Sequence, residues 1–273
     1  MTDLGDSPLG HATTWSEHYD PRLLFRVERA PLRAELGVAP PLPFRGVDLW
    51  TAYELSWLGP DGIPEIAVGS FSIPAESPRL VESKSLKLYL TALNLSRFAT
   101  LADVRAALER DLGAATGAAV GVTLRAPDAP AILEAGELEG ASIDRHAAIA
   151  IDEAPVAERL HASGSPTKRT VYTRLFRSVC PVTGQPDYAS VQLRYEGASI
   201  DEASLLAYLL SYRRHPGFHE HCVERIFCDV WKRCAPKYLA VYARFTRRGG
   251  IDINPWRTSG TEAPPENRRT ARQ

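Results

Sequence analysis

Apolar and polar positions alternate along several stretches of the chain, and this alternation predicts β-strands. In Val47–Leu55 and Ala189–Tyr195 nearly every second residue is apolar, as a strand with one buried face requires. Further strands are predicted at Ile66–Ile73, Val120–Leu124, Arg169–Val179 and Leu239–Phe245. Turns rich in glycine and proline separate the strands, so we expect antiparallel hairpins.

Apolar residues spaced three or four apart predict helices between these strands. Glu220–Cys234 carries a continuous apolar stripe, and Ile200–Arg213 groups its leucines on one side. A third helix carries Leu101 to Leu112 and opens with Thr100 and Asp103 in the spacing of a capping box. Antiparallel sheet covered on one side by paired helices is an α+β class.

The chain contains two similar modules. Ser85–Leu90 resembles Ser204–Leu209, and a Gly-x-Pro turn precedes each, at Gly62–Pro64 and Gly184–Pro186. We therefore predict five segments: an N-terminal extension (1–35), a first module (36–150), a connector (151–168), a second module (169–257) and a polar tail (258–273). The extension and the tail offer little to bury and are expected to be weakly structured.

Composition narrows the classes of function. The net charge of −1 and the pI near 6.7 argue against a broad nucleic-acid surface, so a small-molecule partner is favoured. No apolar run approaches the length of a membrane span, and the acidic start lacks the order of a secretion signal, so a cytoplasmic location is expected. The four cysteines fit a reducing compartment. Without a Cys-x-x-Cys pair a zinc site is unsupported, although His219, His221 and Cys222 lie close together.

Cys180 and Asp187 are the first candidates for chemistry. They bound the loop of a predicted hairpin, whose two ends should approach each other, so the carboxylate can exchange a proton with the thiol. From spacing alone, a small buried cysteine and a turn-forming aspartate explain the pattern at least as well. Cys222, Cys228 and Cys234 fall on different faces of one helix and are interpreted as structural.

Three other segments carry polar groups with two interpretations each. His219 and Glu220 open a helix, where Glu220 suits a cap better than the alternative of a heterocycle ligand. Glu82–Tyr89 precedes a helix and reads equally as an exposed N-terminus, with Glu82 and Lys87 in solvent. Arg247–Gly250 ends the last predicted strand of the second module and suits either a phosphate or a simple turn.

These segments together resemble the NADPH-dependent 7-cyano-7-deazaguanine reductases (QueF family), in their long form with two modules. Glu82–Tyr89 is similar to the family signature. The second module adds three matching segments, Cys180–Asp187, Phe218–Arg225 and Thr246–Trp256. The resemblance covers the chain apart from its two termini. It implies the tunnelling fold, in which such modules assemble into a barrel.

The resemblance also implies roles for single residues. Cys180 would form a covalent thioimide with the substrate nitrile, and Asp187 would be the general acid/base. The substrate ring would be bound by Val81, Glu82, Ser83, His219 and Glu220. The NADPH contacts would come from Ser83, Lys84, Arg248 and Gly249. Two NADPH would be consumed per nitrile in a step of queuosine biosynthesis, and no metal is expected. There is no Gly-x-Gly-x-x-Gly motif of a Rossmann domain.

Two other functions remain open at this point. One is a different enzyme that activates water, either a tunnelling-fold cyclohydrolase or a cysteine nitrilase. The other is a purine-binding or scaffolding module in which Cys180 only packs. Because barrels of this kind are completed by association, we expect a homodimer that binds neither nucleic acid nor membrane.

Overall fold

The fold was analysed in a computed structural model, which describes residues 18–129, 134–145 and 154–273. Three stretches lie outside this range: residues 1–17 of the predicted N-terminal extension, residues 130–133 of the predicted first module, and residues 146–153, where that module ends and the predicted connector begins. The chain divides into two compact units. Unit 1 takes its residues from 1–39, 48–135 and 247–252, and unit 2 from 40–47, 136–246 and 253–273.

Unit 1 is built on a short antiparallel sheet with helices. Its elements are a 3-10 turn at Pro21–Leu23, β1 (Arg26–Glu28), α1 (Arg29–Ala34), β2 (Arg45–Leu58), β3 (Pro64–Pro74), β4 (Arg79–Val81), α2 (Ser83–Thr91), α3 (Leu101–Thr116) and β5 (Gly121–Arg125). The main strand order is β5-β3-β2, with β3 antiparallel to β5, and β1 pairs separately with β4.

Unit 2 contains a longer sheet and two helices. Its elements are β6 (Ala141–Ser142), a 3-10 turn at Ala157–Arg159, β7 (Ala162–Val179), β8 (Pro186–Ile200), α4 (Glu202–Leu210), a 3-10 turn at Ser211–Arg214, α5 (His219–Cys234), β9 (Tyr238–Phe245) and β10 (Ile251–Thr258). The strand order is β10-β9-β8-β7-β6, antiparallel except where β6 pairs with β7. The chain is therefore of the α+β class.

The apolar stripe of α5 forms the core of unit 2. Val223, Phe227 and Val230 are fully buried and belong to one cluster with Leu193 of β8 and Val241 of β9. The helix ends where Ala235 turns left-handed, at a φ of 45°. The prediction of a core-facing helix here is confirmed, with its start one residue earlier than expected.

The duplication is visible in hydrogen bonds as well as in sequence. Glu82 caps α2 and Asp201 caps α4, each accepting from backbone N–H groups in the first turn. Farther along these helices, Tyr89 of α2 donates to Asp111 and Tyr208 of α4 donates to Asp229, both at 2.7 Å. The two modules therefore repeat their polar contacts together with their apolar pattern.

Three segments are more ordered than the sequence suggested. Residues 18–35 contain β1 and α1, and β7 begins at Ala162, inside the predicted connector. The polar tail buries Thr270 and Gln273, because the Gln273 amide donates to Asn254 and to the carbonyl of Phe245. The prediction of weakly structured termini is wrong for these described parts. No helix in the described ranges is long and apolar enough to cross a membrane.

Candidate active site

The hairpin of β7 and β8 closes as the sequence predicted. Val179 pairs with Pro186 and Ser178 with Asp187, so Asp187 lies on the strand that returns from the loop beginning at Cys180. The Cys180 N–H donates to Gln185 O at 2.8 Å, and Gly184 N–H donates back to Cys180 O at 3.0 Å. Gly184 supplies the positive φ of 65° that this turn needs.

A second segment fixes the residue before the thiol. Val179 N–H donates to His215 O at 3.0 Å, and Gly217 N–H donates to Val179 O at 3.1 Å. Residues 215–217 lead directly into α5, which begins at His219. The backbone therefore ties the start of α5 to the strand end that carries Cys180.

Asp187 and His219 meet in unit 2. His219 Nε2 lies 3.4 Å from Asp187 Oδ2, and only 5% of Asp187 is exposed. The imidazole stacks on the ring of Phe245, with centroids 3.8 Å apart and planes within 6°. His219 Nδ1 is buried and makes no hydrogen bond with any described part of the chain. This arrangement can pass a proton between carboxylate and imidazole, with a second ring nitrogen left for a ligand.

The first turn of α5 corrects the interpretation of Glu220 as a cap. The N-cap residue is Phe218, which makes no side-chain cap bond, and Glu220 is buried inside the first turn with 2% exposure. Farther along, Glu224 pairs with the buried Arg257 at 2.9 Å. The Phe218–Arg225 segment thus supplies one residue that stabilises the fold and two, His219 and Glu220, that can serve a site.

Burial holds two cysteines of α5 in the protonated thiol form. It raises the pKa of Cys222 to about 12 and that of Cys234 to about 11, so both stay protonated thiols at neutral pH. Cys222 belongs to the core and Cys228 packs against it. These positions agree with the interpretation of all three as structural.

In unit 1, the signature segment forms the start of α2. Glu82 Oε1 accepts from Lys84 N–H at 2.7 Å and Oε2 accepts from Ser85 N–H at 2.8 Å. Glu82 is 1% exposed, so the alternative of a solvated N-terminus is wrong for this residue. Oε1 also accepts from the Ser83 hydroxyl at 3.5 Å, whereas Oε2 has a second acceptor position that suits an N–H of a ligand. Val81 is buried beside it, and Ser83 and Lys84 are partly exposed.

Arg247–Gly250 was predicted to end the last strand of the second module, but β10 follows it in the structure. Residues 247–252 belong to unit 1, where Gly250 O accepts from Tyr53 N–H at 2.9 Å. A Cβ on Gly249, whose φ is 58°, would lie 3.2 Å from Lys87 Cδ and Cε. The turn therefore brings Gly249 next to Lys87, which the sequence alone had suggested only as a solvated residue.

The described residues contain no group of three or more His, Cys, Asp and Glu side chains that could hold a metal ion. Sequence reasoning missed Phe245 and Lys87 as neighbours of the candidate residues. A stacking partner 26 residues from His219 leaves no signal in local spacing, and Lys87 gains its meaning only from the distant turn at Gly249.

Comparison with known proteins places these features in a family. Residues 15–124 match a model described as "Nitrile reductase, 7-cyano-7-deazaguanine-reductase N-term", and residues 186–264 match one described as "QueF-like protein". An NADPH-dependent 7-cyano-7-deazaguanine reductase of Bordetella pertussis is 52% identical over 272 residues, 99% of each chain. Its counterpart in Burkholderia multivorans is 51% identical over 269 residues, 98% of each chain.

One solved structure is also similar, the apo form of the archaeosine synthase QueF-Like. It is 20% identical, spans 37% of this chain and 99% of its own, and has a TM-score of 0.32. Full-length identity above 50% and two family models in the expected order decide the assignment without it. The chain belongs to the family of NADPH-dependent 7-cyano-7-deazaguanine reductases.

Proposed function

We propose that this chain reduces the nitrile of 7-cyano-7-deazaguanine to the aminomethyl group with NADPH, as a step of queuosine biosynthesis. The full-length identity to reductases of that name supports the reaction. The observation that carries the mechanism is the closed hairpin, which holds Cys180 at one loop end and Asp187, against His219, on the returning strand.

Cys180 is the nucleophile in this proposal. Asp187 takes the proton of the thiol, the resulting thiolate forms a bond to the nitrile carbon as one π bond of the nitrile breaks, and Asp187 then delivers that proton to the nitrile nitrogen. The product is a thioimide, whose carbon is a better hydride acceptor than a nitrile. After the first reduction the carbon–sulfur bond breaks, Cys180 leaves as thiolate, and an imine remains for the second reduction.

NADPH supplies both hydrides, which provide the four electrons that convert a nitrile to an amine. Ser83, Lys84, Arg248 and Gly249 are proposed to contact it. The positive φ of Gly249 and the tight approach of Lys87 support this role, because a backbone without a side chain beside cationic groups suits a phosphate. Lys87 is proposed as a further NADPH contact for the same reason.

The substrate ring is proposed to be bound by Val81, Glu82, Ser83, His219 and Glu220. Glu82 is held rigid by two N–H groups of α2, and Glu220 is buried in the first turn of α5. Fixed carboxylates are suited to accept the N–H groups of a guanine-like ring, since little side-chain entropy is lost on binding.

For the assembly, we propose tunnelling-fold modules that complete a barrel as a homodimer. The two repeated modules support the fold, since both pair a capped helix with antiparallel strands. A cytoplasmic location agrees with four free cysteines. Sedimentation equilibrium tests the assembly: a mass twice that of the 30.0 kDa chain is expected, and a monomer at micromolar concentration would refute it.

The reaction is tested by following reduced nicotinamide absorbance with a limiting amount of the nitrile. A reductase oxidises two NADPH per substrate and releases the amine. A nitrilase would release ammonia with no change in absorbance. A binding module would release no ammonia and would also leave the absorbance unchanged. Either of those results would overturn the proposed function.

A further inference from the structure

The face of the His219 imidazole is covered by Phe245. Their ring centroids are 3.8 Å apart and their planes differ by 6°, so the contact is a full parallel stack. Phe245 is the last residue of β9, is completely buried, and pairs in register with Ala189. Ala189 follows Asp187 by two residues on β8, so one sheet carries both the carboxylate and the ring that covers the histidine.

The position of His219 at the start of α5 constrains its side chain only weakly, so a further contact is needed to fix the orientation of the ring. His219 opens α5 directly after Phe218, and no side-chain cap bond fixes this turn. Its contact with Asp187, at 3.4 Å, is longer than a strong charge-assisted hydrogen bond. That contact constrains one ring atom only, and the plane of the ring requires a second constraint.

Phe245 is itself held in place from two directions. The ring of Phe176 meets it edge-on, with centroids 6.0 Å apart and planes at 89°. On the backbone side, the Gln273 amide donates to the Phe245 carbonyl at 2.8 Å. The stacking surface is therefore rigid, as a group that orients another must be.

We propose that Phe245 is a positioning residue for the His219–Asp187 pair. It fixes the plane of the imidazole so that Nε2 faces Asp187, while the buried Nδ1 is held ready for a substrate hydrogen bond. The inference deepens the proposed function and rests on it. Phe245 takes part in no chemical step itself.

The test compares Phe245→Leu, which removes the ring, with Phe245→Tyr, which keeps it. Phe227→Leu is the matched control, because Phe227 is equally buried in the same unit but lies against Phe44 and Trp231. Two properties are measured for each protein. One is the ring-current shift of the His219 side-chain protons in histidine-labelled samples, assigned with His219→Gln. The other is the rate of covalent adduct formation with 7-cyano-7-deazaguanine in the absence of NADPH.

We expect Phe245→Leu to abolish the upfield shift and to slow adduct formation at least about ten-fold, since small misplacements of a catalytic group have large effects on rate. Phe245→Tyr should restore both properties, and Phe227→Leu should lose thermal stability without either change. Equal slowing by the two leucine variants, or an unshifted imidazole in the unsubstituted protein, would overturn the proposal. The imidazole shift of the unsubstituted protein can be measured even if a variant fails to fold. Failure of the unsubstituted protein to form an adduct would instead refute the proposed function, while the imidazole shift would still report on the stack.

Discussion

Acidic side chains in unit 2 differ in the partner that each one meets. Glu224 is neutralised by the buried Arg257, and Asp229 accepts from the Tyr208 hydroxyl. Asp187 faces the His219 imidazole, whose ring nitrogens can donate or accept a hydrogen bond and so relay a proton. This difference in partner, more than burial itself, marks Asp187 as the carboxylate for proton transfer.

Replacement of Asp187 by asparagine should therefore slow the reaction and preserve the fold. Asparagine keeps the size of the side chain but cannot carry the proton, so the rate of adduct formation should fall on the order of 100-fold or more. Stopped-flow or quenched mass measurements give this rate. Asp201→Asn is the control, because asparagine still caps α4 and adduct formation should be unaltered. Equal rates in Asp187→Asn and the unsubstituted protein would remove the proposed role.

The sequence could predict only those parts of the candidate site whose residues lie close together along the chain. Cys180 and Asp187 belong to one hairpin, so their approach follows from strand pairing. Phe245 could not be found in this way, because its contact with His219 depends on how β9 packs against α5. The buried state of Glu82 was also missed, since its acceptance of two helix N–H groups replaces the solvent that a carboxylate normally needs.

At the scale of elements, the cap of α3 was predictable because the sequence carries a capping box. The Thr100 side chain accepts from Asp103 N–H at 3.1 Å and so confirms the cap that was read from the sequence. β9 was predicted within one residue because its apolar residues alternate in the sequence, although seven of its eight residues are buried. β10 was missed because Asp252, Asn254 and Pro255 are residue types that strands disfavour, although all eight residues of the strand are buried. Tyr53 and Gln273 satisfy these polar groups from distant parts of the sequence.

Removal of the Thr100 cap should destabilise α3 without touching the chemistry. Thr100→Ala leaves a first-turn N–H without its acceptor and should cost about 1 kcal/mol of unfolding free energy. Thr100→Ser keeps the hydroxyl and should retain most of that stability. Denaturant unfolding of the three proteins measures the difference. A Thr100→Ala protein as stable as Thr100→Ser would contradict the role of the hydroxyl.

The connection between α4 and α5 should make the fold sensitive to acid. Burial, with Arg225 and His221 nearby, lowers the pKa of His215 from 6.5 to about 4. Between these values the unfolded chain binds a proton that the folded chain excludes, so stability falls as pH drops from about 6.5 to about 4. This loss of stability is complete below about pH 4 and absent above about pH 6.5.

His215→Gln removes this titration, so its stability should decline less steeply across the same pH window. Thermal midpoints at pH 7, 6, 5 and 4 compare the two proteins. Parallel curves for the variant and the unsubstituted protein would show that His215 is not excluded from protonation in the folded state.

At the scale of the whole molecule, duplication explains why the candidate residues are divided between two units. Both modules keep the capped helix and the Tyr–Asp hydrogen bond that stabilise the fold. The hairpins differ, because Cys180 begins the loop of the second module and Gly59 begins that of the first. Repetition of the fold with divergence of the loops allows one chain to carry a single nucleophile.

The central claim is that Cys180 attacks the nitrile, and intact-mass spectrometry tests it most directly. The protein is incubated with 7-cyano-7-deazaguanine and no NADPH, so that the reaction stops at the covalent stage. We predict a single adduct per chain with the mass of the whole substrate, located on Cys180 by peptide mapping and absent from Cys180→Ala. An adduct that persists in Cys180→Ala, or a protein that turns over the nitrile with NADPH after that substitution, would contradict the account.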